Sequence, residues 1–273
     1  MLQKFQNHLL HNFQFLSGKK ILLATSGGKD SMVMLHLFQQ LDYEIGIAHC
    51  NFQLRGMESF EDQNFVQEYA AANGIPVFIT QFDTKAFAED YKVSTQVAAR
   101  ELRYNWFYEL LETEKFDYIL TAHHADDNLE TFLINLSRGT GLEGLTGIPE
   151  QNDRVIRPLL AFSQEEMEEY AKLNNIKWRE DSSNASDKYL RNKIRHHLVP
   201  MLKDLNPNFL SSFHKTQTYL QEAQVMVEDA SIMIYQQVAK EVGDDIHFDL
   251  NQLQKLPNYK SYLYQWLNEF GFL

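Results

Sequence analysis

Short apolar runs alternate with stretches of helical periodicity over residues 19–150. Residues 21–25 (ILLAT) read as a buried strand, followed by a helix through about Gln40. Residues 44–49 read as a strand, 58–73 as a helix stopped by Gly74, and 76–81 as a strand. Residues 94–114 form a long helix carrying Trp106, Phe107 and Tyr108; 118–122 is a strand and 126–137 a helix. Strands alternating with helices at this pitch predict βαβ units, and so an α/β fold built on a doubly wound parallel sheet. Such sheets bind ligands at the carboxyl ends of their strands.

The flanks follow other periods. Leu2, Phe5, Leu9, Leu10 and Phe13 fall on one helical stripe within residues 1–16, an amphipathic helix and not a signal peptide. Residues 139–149 are a glycine-rich connection. Ser163 with Glu166 three residues on forms a capping box that opens a helix to about Asn174. Residues 177–181 are extended or loop. Residues 209–238 carry a long amphipathic pattern without glycine or proline, and 251–270 a second helix. The expected division is 1–207 as a catalytic domain and 208–273 as a helical C-terminal segment.

Composition narrows the class. A single cysteine, Cys50, excludes an intramolecular disulfide and any C-x-x-C site. No apolar run approaches bilayer length, so no membrane partner is expected and the default location is cytoplasmic. The net charge of −12 argues globally against a nucleic-acid partner. Locally, Lys188, Arg191, Lys193, Arg195, Lys203 and Lys215 stand against only Asp187 and Asp204 over residues 186–215. Such a patch can anchor phosphates on an acidic protein, although a solvated helix face has the same composition.

The candidate chemistry clusters at strand ends. Ser26-Gly27-Gly28-Lys29-Asp30-Ser31 follows the first strand and opens a helix. Glycines let the backbone approach an anion, and a helix N-terminus presents free N–H groups and a favourable dipole. The loop is neither a Walker A sequence, since the position five before Gly28 is Leu23, nor G-x-G-x-x-G. Residues 121–131, TAHHADDNLET, place His123, His124, Asp126, Asp127 and Glu130 at another strand-to-helix junction. Carboxylates there can hold Mg²⁺ on phosphates, and an imidazole can move a proton. The adjacent histidines have the wrong spacing for two zinc ligands on one face. His49 and Arg55 end the second strand, and Arg100 and Arg103 share a helical face suited to an anion or an ion pair. Arg191 and Arg195 are spaced i, i+4 for phosphate contact.

Together SGGKDS at 26–31, HCNFQLR at 49–55, ARELRY at 99–104, TAHHADDNLET at 121–131, RGTGLEGLTGI at 138–148, RPLL at 157–160 and DSSN…RNKIR at 181–195 resemble the tRNA(Ile)-lysidine synthetase family over residues 20–200. SGGxDS alone marks the wider N-type ATP pyrophosphatases, with their adenine nucleotide α-hydrolase-like fold. The resemblance implies that ATP adenylates the wobble cytidine of an isoleucine tRNA with a CAU anticodon. Free L-lysine then displaces AMP. It further implies that Ser26, Gly27, Gly28, Lys29, Asp30 and Ser31, with His49 and Arg55, hold the nucleotide. On the same basis Asp30 and Asp127 bind Mg²⁺, Asp126, His124 and Arg103 are catalytic, and Arg191, Lys193 and Arg195 contact tRNA. A homodimer is implied too. Family members usually continue into C-terminal domains that grip the acceptor stem, so residues 208–273 are expected to be the start of such a domain in a truncated or short member. The alternatives are another adenylating tRNA-modification enzyme of the same loop type, or a non-catalytic nucleotide- or tRNA-binding module. Thiolation would call for paired cysteines or an iron–sulfur site, and Cys50 stands alone.

Overall fold

The computed structural model describes residues 1–180, 187 and 189–272. The Asp181-Ser182-Ser183-Asn184 motif and Lys188 lie outside the described residues. The chain opens with α1 (Leu2–Asn12) and a 3-10 turn (Gln14–Leu16), then runs β1 (Ile21–Ala24), α2 (Lys29–Gln40), β2 (Ile45–Asn51), α3 (Met57–Asn73) and β3 (Val77–Gln81). Next come α4 (Thr84–Asp90), α5 (Thr95–Thr113), β4 (Tyr118–Leu120), α6 (Ala125–Arg138) and α7 (Leu142–Leu145). β5 (Gln151–Asn152), β6 (Val155–Ile156), α8 (Gln164–Leu173), α9 (Leu190–Lys193), a π-helical turn (Ile194–Leu198) and α10 (Val199–Leu205) follow. The chain ends with α11 (Phe209–Val238), β7 (Ala239–Val242), β8 (Asp245–Phe248), α12 (Leu250–Leu253) and α13 (Tyr259–Glu269).

The main sheet has the strand order β3-β2-β1-β4-β6-β5. β1 is central and pairs in parallel on both sides, Leu23 lying opposite Ile47 in β2 and opposite Leu120 in β4. Ile21, Leu22 and Leu23 are all fully buried because helices cover both faces, which is why β1 reads as an unbroken apolar run. Leu22 joins Phe107, Leu111, Phe116 and Ile119 on one face, while Ile21 and Leu23 join Met32, Leu35 and Phe38 on the other. From β1 the chain builds outward through β2 and β3, then returns to lay β4 on the opposite flank. That reversal opens a crevice at the carboxyl ends of β1 and β4. β5 pairs antiparallel with β6 and finishes that edge.

The N-terminal helix packs through Phe5, Leu9 and Phe13, an i, i+4, i+8 stripe; Leu10, expected on the same face, is 56% exposed. Phe5 meets Phe38 and Phe162 edge-on at 5.4 and 5.7 Å, and burying each such ring contributes roughly 1.5–3 kcal/mol. Two compact units are present, one of residues 1–139 with 147–214 and one of 140–146 with 215–273, the division falling within α11. In the second unit Val238, Leu253 and Trp266 form the core, and the Trp266 indole donates to Ser231 Oγ at 3.0 Å. The single helix expected over 251–270 is two helices, broken where Pro257 restricts Leu256.

Candidate active site

The turn after β1 is held by its own hydroxyls. Ser26 N donates to Ser31 Oγ at 3.2 Å, Ser31 Oγ donates to the Gly28 carbonyl at 2.9 Å, and Gly28 N donates to Ser26 Oγ at 3.2 Å. Gly27 has φ of +91°, a conformation that a side chain would strain, and a Cβ there would sit 3.4 Å from both Phe65 and Val66. Gly28 is the N-cap of α2 and provides no side-chain cap. The first N–H groups of α2 are therefore left for a ligand, and the helix dipole adds positive potential. Lys29 Nζ lies 3.2 Å from Glu168 Oε2.

The turn after β4 faces the same crevice and is built differently. His124 is the N-cap of α6: its Nδ1 accepts from Asp127 N at 3.4 Å, and Asp127 Oδ2 accepts from His124 N at 3.2 Å. An Nδ1 that accepts leaves the proton of the neutral ring on Nε2. That nitrogen lies 3.4 Å from Asp127 Oδ2 and 3.7 Å from Asp30 Oδ2, joining the two turns. Burial raises the Asp30 carboxyl above its usual range, against the pull of His124. Burial also opposes ionisation of Asp127, but His124, His123 and Arg195 outweigh it and hold this carboxyl below its usual range. Burial pushes His123 down to about 4, so that ring is neutral at pH 7; its Nδ1 lies 2.9 Å from Thr121 Oγ1.

Both turns line a cleft of about 1020 Å³. Ser26, Gly28, Lys29, Asp30, Ser31, Arg103, His124, Asp127, Arg191 and Arg195 all stand on its wall. Arg103 lies with its guanidinium 5.1 Å above the Phe52 ring, a cation–π contact that fixes a long side chain at the cleft edge. Arg195 is bidentate to Glu130, at 2.6 and 2.9 Å, and also donates to Asp127 Oδ1 at 3.0 Å. Arg191 donates to Thr131 Oγ1 at 2.8 Å. Lys193 is exposed, on the same short helix as Arg191.

Other expected residues stand off the wall. Asp126 is 2% exposed; it accepts from Gln164 N at 2.8 Å and pairs with the Lys203 ammonium, which also meets Glu165 at 2.5 Å. His49 is buried beneath the crevice with Nδ1 2.8 Å from the Thr25 carbonyl. Arg55 donates to Asp62 at 2.7 Å. Gly27 shapes the loop from behind, packed toward α3. Glu130, read in its junction block but given no role of its own, is 1% exposed; Arg179, which lines the cleft, lies in a segment read only as extended or loop.

Residues 1–202 match the family model described as the PP-loop domain, and residues 240–273 the one described as the TilS substrate binding domain. The chain is similar to the tRNA(Ile)-lysidine synthase of Porphyromonas gingivalis, 38% identical over 253 residues, which is 92% of this chain and 55% of that protein. It is also similar to the tRNA(Ile)-lysidine synthase of Bacteroides thetaiotaomicron, 38% identical over 262 residues, 94% of this chain and 60% of that protein. The chain thus spans between half and two thirds of the length of these relatives. In fold it is similar to the U34-tRNA thiolase NcsA from Methanococcus maripaludis, with a TM-score of 0.67 at 19% identity over 81% of this chain and 77% of that one. Since one family model accounts for residues 1–202 of the 273, the chain belongs to the PP-loop domain family.

Proposed function

We propose that the chain ligates L-lysine to C2 of the wobble cytidine in an isoleucine tRNA with a CAU anticodon, with ATP as the activating substrate. The observation that carries this reading is the opposition, across one crevice, of an uncapped glycine turn and the His124–Asp127 pair. The names of the similar proteins and the substrate-binding match at residues 240–273 support the tRNA and lysine assignments. In the first step the cytidine O2 attacks the α-phosphorus, the bond to the bridging oxygen breaks, and pyrophosphate leaves. In the second the ε-amine attacks C2, the C2–O bond breaks, and AMP leaves with the oxygen while the amine sheds a proton.

Each group on the wall fits a part of this scheme. The N–H groups opening α2, with the Ser26 hydroxyl, are preorganised donors for the leaving pyrophosphate, and Ser31, whose proton goes to the Gly28 carbonyl, holds the turn in shape. Arg103, held on Phe52, reaches an α-phosphate or the lysine carboxylate. His124 presents Nε2–H between two carboxylates and donates to phosphate oxygen. Asp127 is ionised and on the wall, so its charge draws cations into the crevice, but a carboxylate held this low is too weak a base to take a proton from the lysine ammonium. Asp126, neutralised by Lys203, acts by position: it ties the start of α6 to the start of α8. Lys193 faces RNA phosphates, while Arg191 and Arg195 are engaged with α6.

Asp30 and Asp127 fit magnesium. Asp30 Oδ1 is a buried acceptor with no hydrogen-bond partner. Among the described residues no group of three or more His, Cys, Asp or Glu could hold a metal, which suits an ion whose remaining ligands are phosphate oxygens and water. When bound, such an ion neutralises charge building on the pyrophosphate. Burial pushes the Cys50 thiol up to about 12, which disfavours the thiolate that sulfur transfer needs. No described helix is long and apolar enough to cross a membrane. The implied homodimer is read by light scattering.

Labelled lysine is offered to an isoleucine tRNA transcript with the CAU anticodon, with ATP and Mg²⁺, against a methionine tRNA with the same anticodon. Incorporation into the isoleucine tRNA alone is expected. Incorporation into neither, with no pyrophosphate released, rejects the ligase reading for this chain.

A further inference from the structure

The peptide between Gly27 and Gly28 has a glycine on each side, so little steric resistance opposes its rotation. Its orientation decides whether Gly28 N–H points toward Ser26 Oγ and the ligand side of the turn or away from it. The carbonyl at the other end of that peptide, Gly27 O, accepts a hydrogen bond from Arg179 N at 2.9 Å. Arg179 comes from a segment with no regular secondary structure, residues 174–180, and such a segment needs its own anchor. Its side chain supplies one. Nε donates to Asp62 Oδ1 at 3.0 Å and a terminal nitrogen donates to Glu61 Oε2 at 2.5 Å, both on α3.

Asp62 is only 7% exposed and accepts from two arginines, Arg179 on Oδ1 and Arg55 on Oδ2 at 2.7 Å. It therefore joins the loop after β2 and the start of α3, neighbours in sequence, to the distant strip that lies against the glycine turn. The backbone of Asp62 also borders the turn, its carbonyl lying 3.8 Å from the position of a Gly27 Cβ.

We infer that Asp62 is a positioning residue for the pyrophosphate loop: by fixing Arg179 it locks the Gly27–Gly28 peptide with its N–H on Ser26 Oγ, the orientation that keeps the turn shaped for phosphates. This rests on the reading of the loop as an ATP site. Arg179 stands on the cleft wall, but its guanidinium is turned to α3, so the part of it that serves the loop is its backbone N–H.

The test is calorimetric binding of ATP and of adenosine to the whole 273-residue chain, for wild type, Asp62→Asn, Arg179→Gln, the double variant and Glu61→Gln. ATP affinity is expected to fall about tenfold in each of the first two and by no more in the double variant, since both break one linkage. Adenosine, which lacks the phosphates, keeps its affinity within about twofold; Glu61→Gln, which loosens only one of the two holds on Arg179, lowers ATP affinity by less than Asp62→Asn does. Unchanged ATP affinity in Asp62→Asn, an equal loss for adenosine, or losses that multiply to about a hundredfold would each overturn the proposal. Failure of the wild type to bind ATP rejects the reading of the loop and the proposal with it. Should Asp62→Asn unfold, Arg179→Lys decides: it keeps the charge but cannot bridge Asp62 and Glu61, so a selective ATP loss supports the clamp and full retention overturns it.

Discussion

The turns after β1 and β4 follow neighbouring parallel strands and open onto one crevice, yet they handle the same problem in opposite ways. Every helix start leaves unpaired N–H groups. The first turn leaves them open: Gly28 caps α2 with no side chain, and Ser26 and Ser31 bond to each other and to the loop. The second satisfies its own, His124 and Asp127 exchanging bonds in a capping box. One turn presents backbone to a ligand, and the other, its backbone closed off, presents a fixed imidazole and carboxylate. On the proposed reading, an anion site and a site of fixed side chains arise from one structural element by the choice of cap.

Changes to the capped turn test its chemistry most severely. Asp127→Asn keeps a hydrogen-bonding group in the box but removes the charge, and tRNA-dependent pyrophosphate release is expected to fall about 10²–10³-fold. Its neighbour gives the contrast. Asp126→Asn leaves the half-buried Lys203 ammonium with Glu165 as its remaining carboxylate, and a stability loss of about 2 kcal/mol in urea unfolding is expected, larger than any direct effect on ATP affinity. His124→Asn separates cap from chemistry: Asn caps well, so stability changes by less than about 0.5 kcal/mol, while turnover falls about 10²-fold with the loss of Nε2–H. If turnover instead tracks stability through His124→Asn and His124→Ala, the ring is only a cap.

The open turn should fail differently. Gly27→Ala meets a φ of +91° and two contacts at 3.4 Å, so a cost of about 1–2 kcal/mol and roughly tenfold weaker ATP binding are expected, with lysine affinity unchanged. The smallest effect lies farthest from both turns. Lys193→Ala is expected to lower the slope of log tRNA affinity against log salt by about one, and to leave turnover at saturating tRNA unaltered.

The two turns were legible in the sequence because local features write them: an apolar run, then two glycines in one and a histidine–aspartate block in the other, then a helical period. The capping box at Ser163 and Glu166 was legible for the same reason. Which of two adjacent acids faces the cleft was not. Asp126 and Asp127 differ by one step around a helix, and the choice depends on Lys203, 77 residues away. The Glu130–Arg195 pair and the hold of Asp62 on Arg179 are likewise long-range, spanning 65 and 117 residues. Helix α4, seven residues long and capped by Asp83, carries too few turns to show a period. The β7–β8 hairpin had a local signal, Gly243-Asp244 between Val242 and Asp245, but its short polar strands lack apolar alternation.

The most direct measurement follows label from γ-labelled ATP with the chain, lysine and the isoleucine tRNA transcript. An uncapped turn that holds two phosphates as a leaving group requires cleavage between the α- and β-phosphorus. The expected result is label in pyrophosphate, formed in step with AMP and lysine incorporation. Label released as orthophosphate, with ADP as the nucleotide product, would contradict the assignment of that turn.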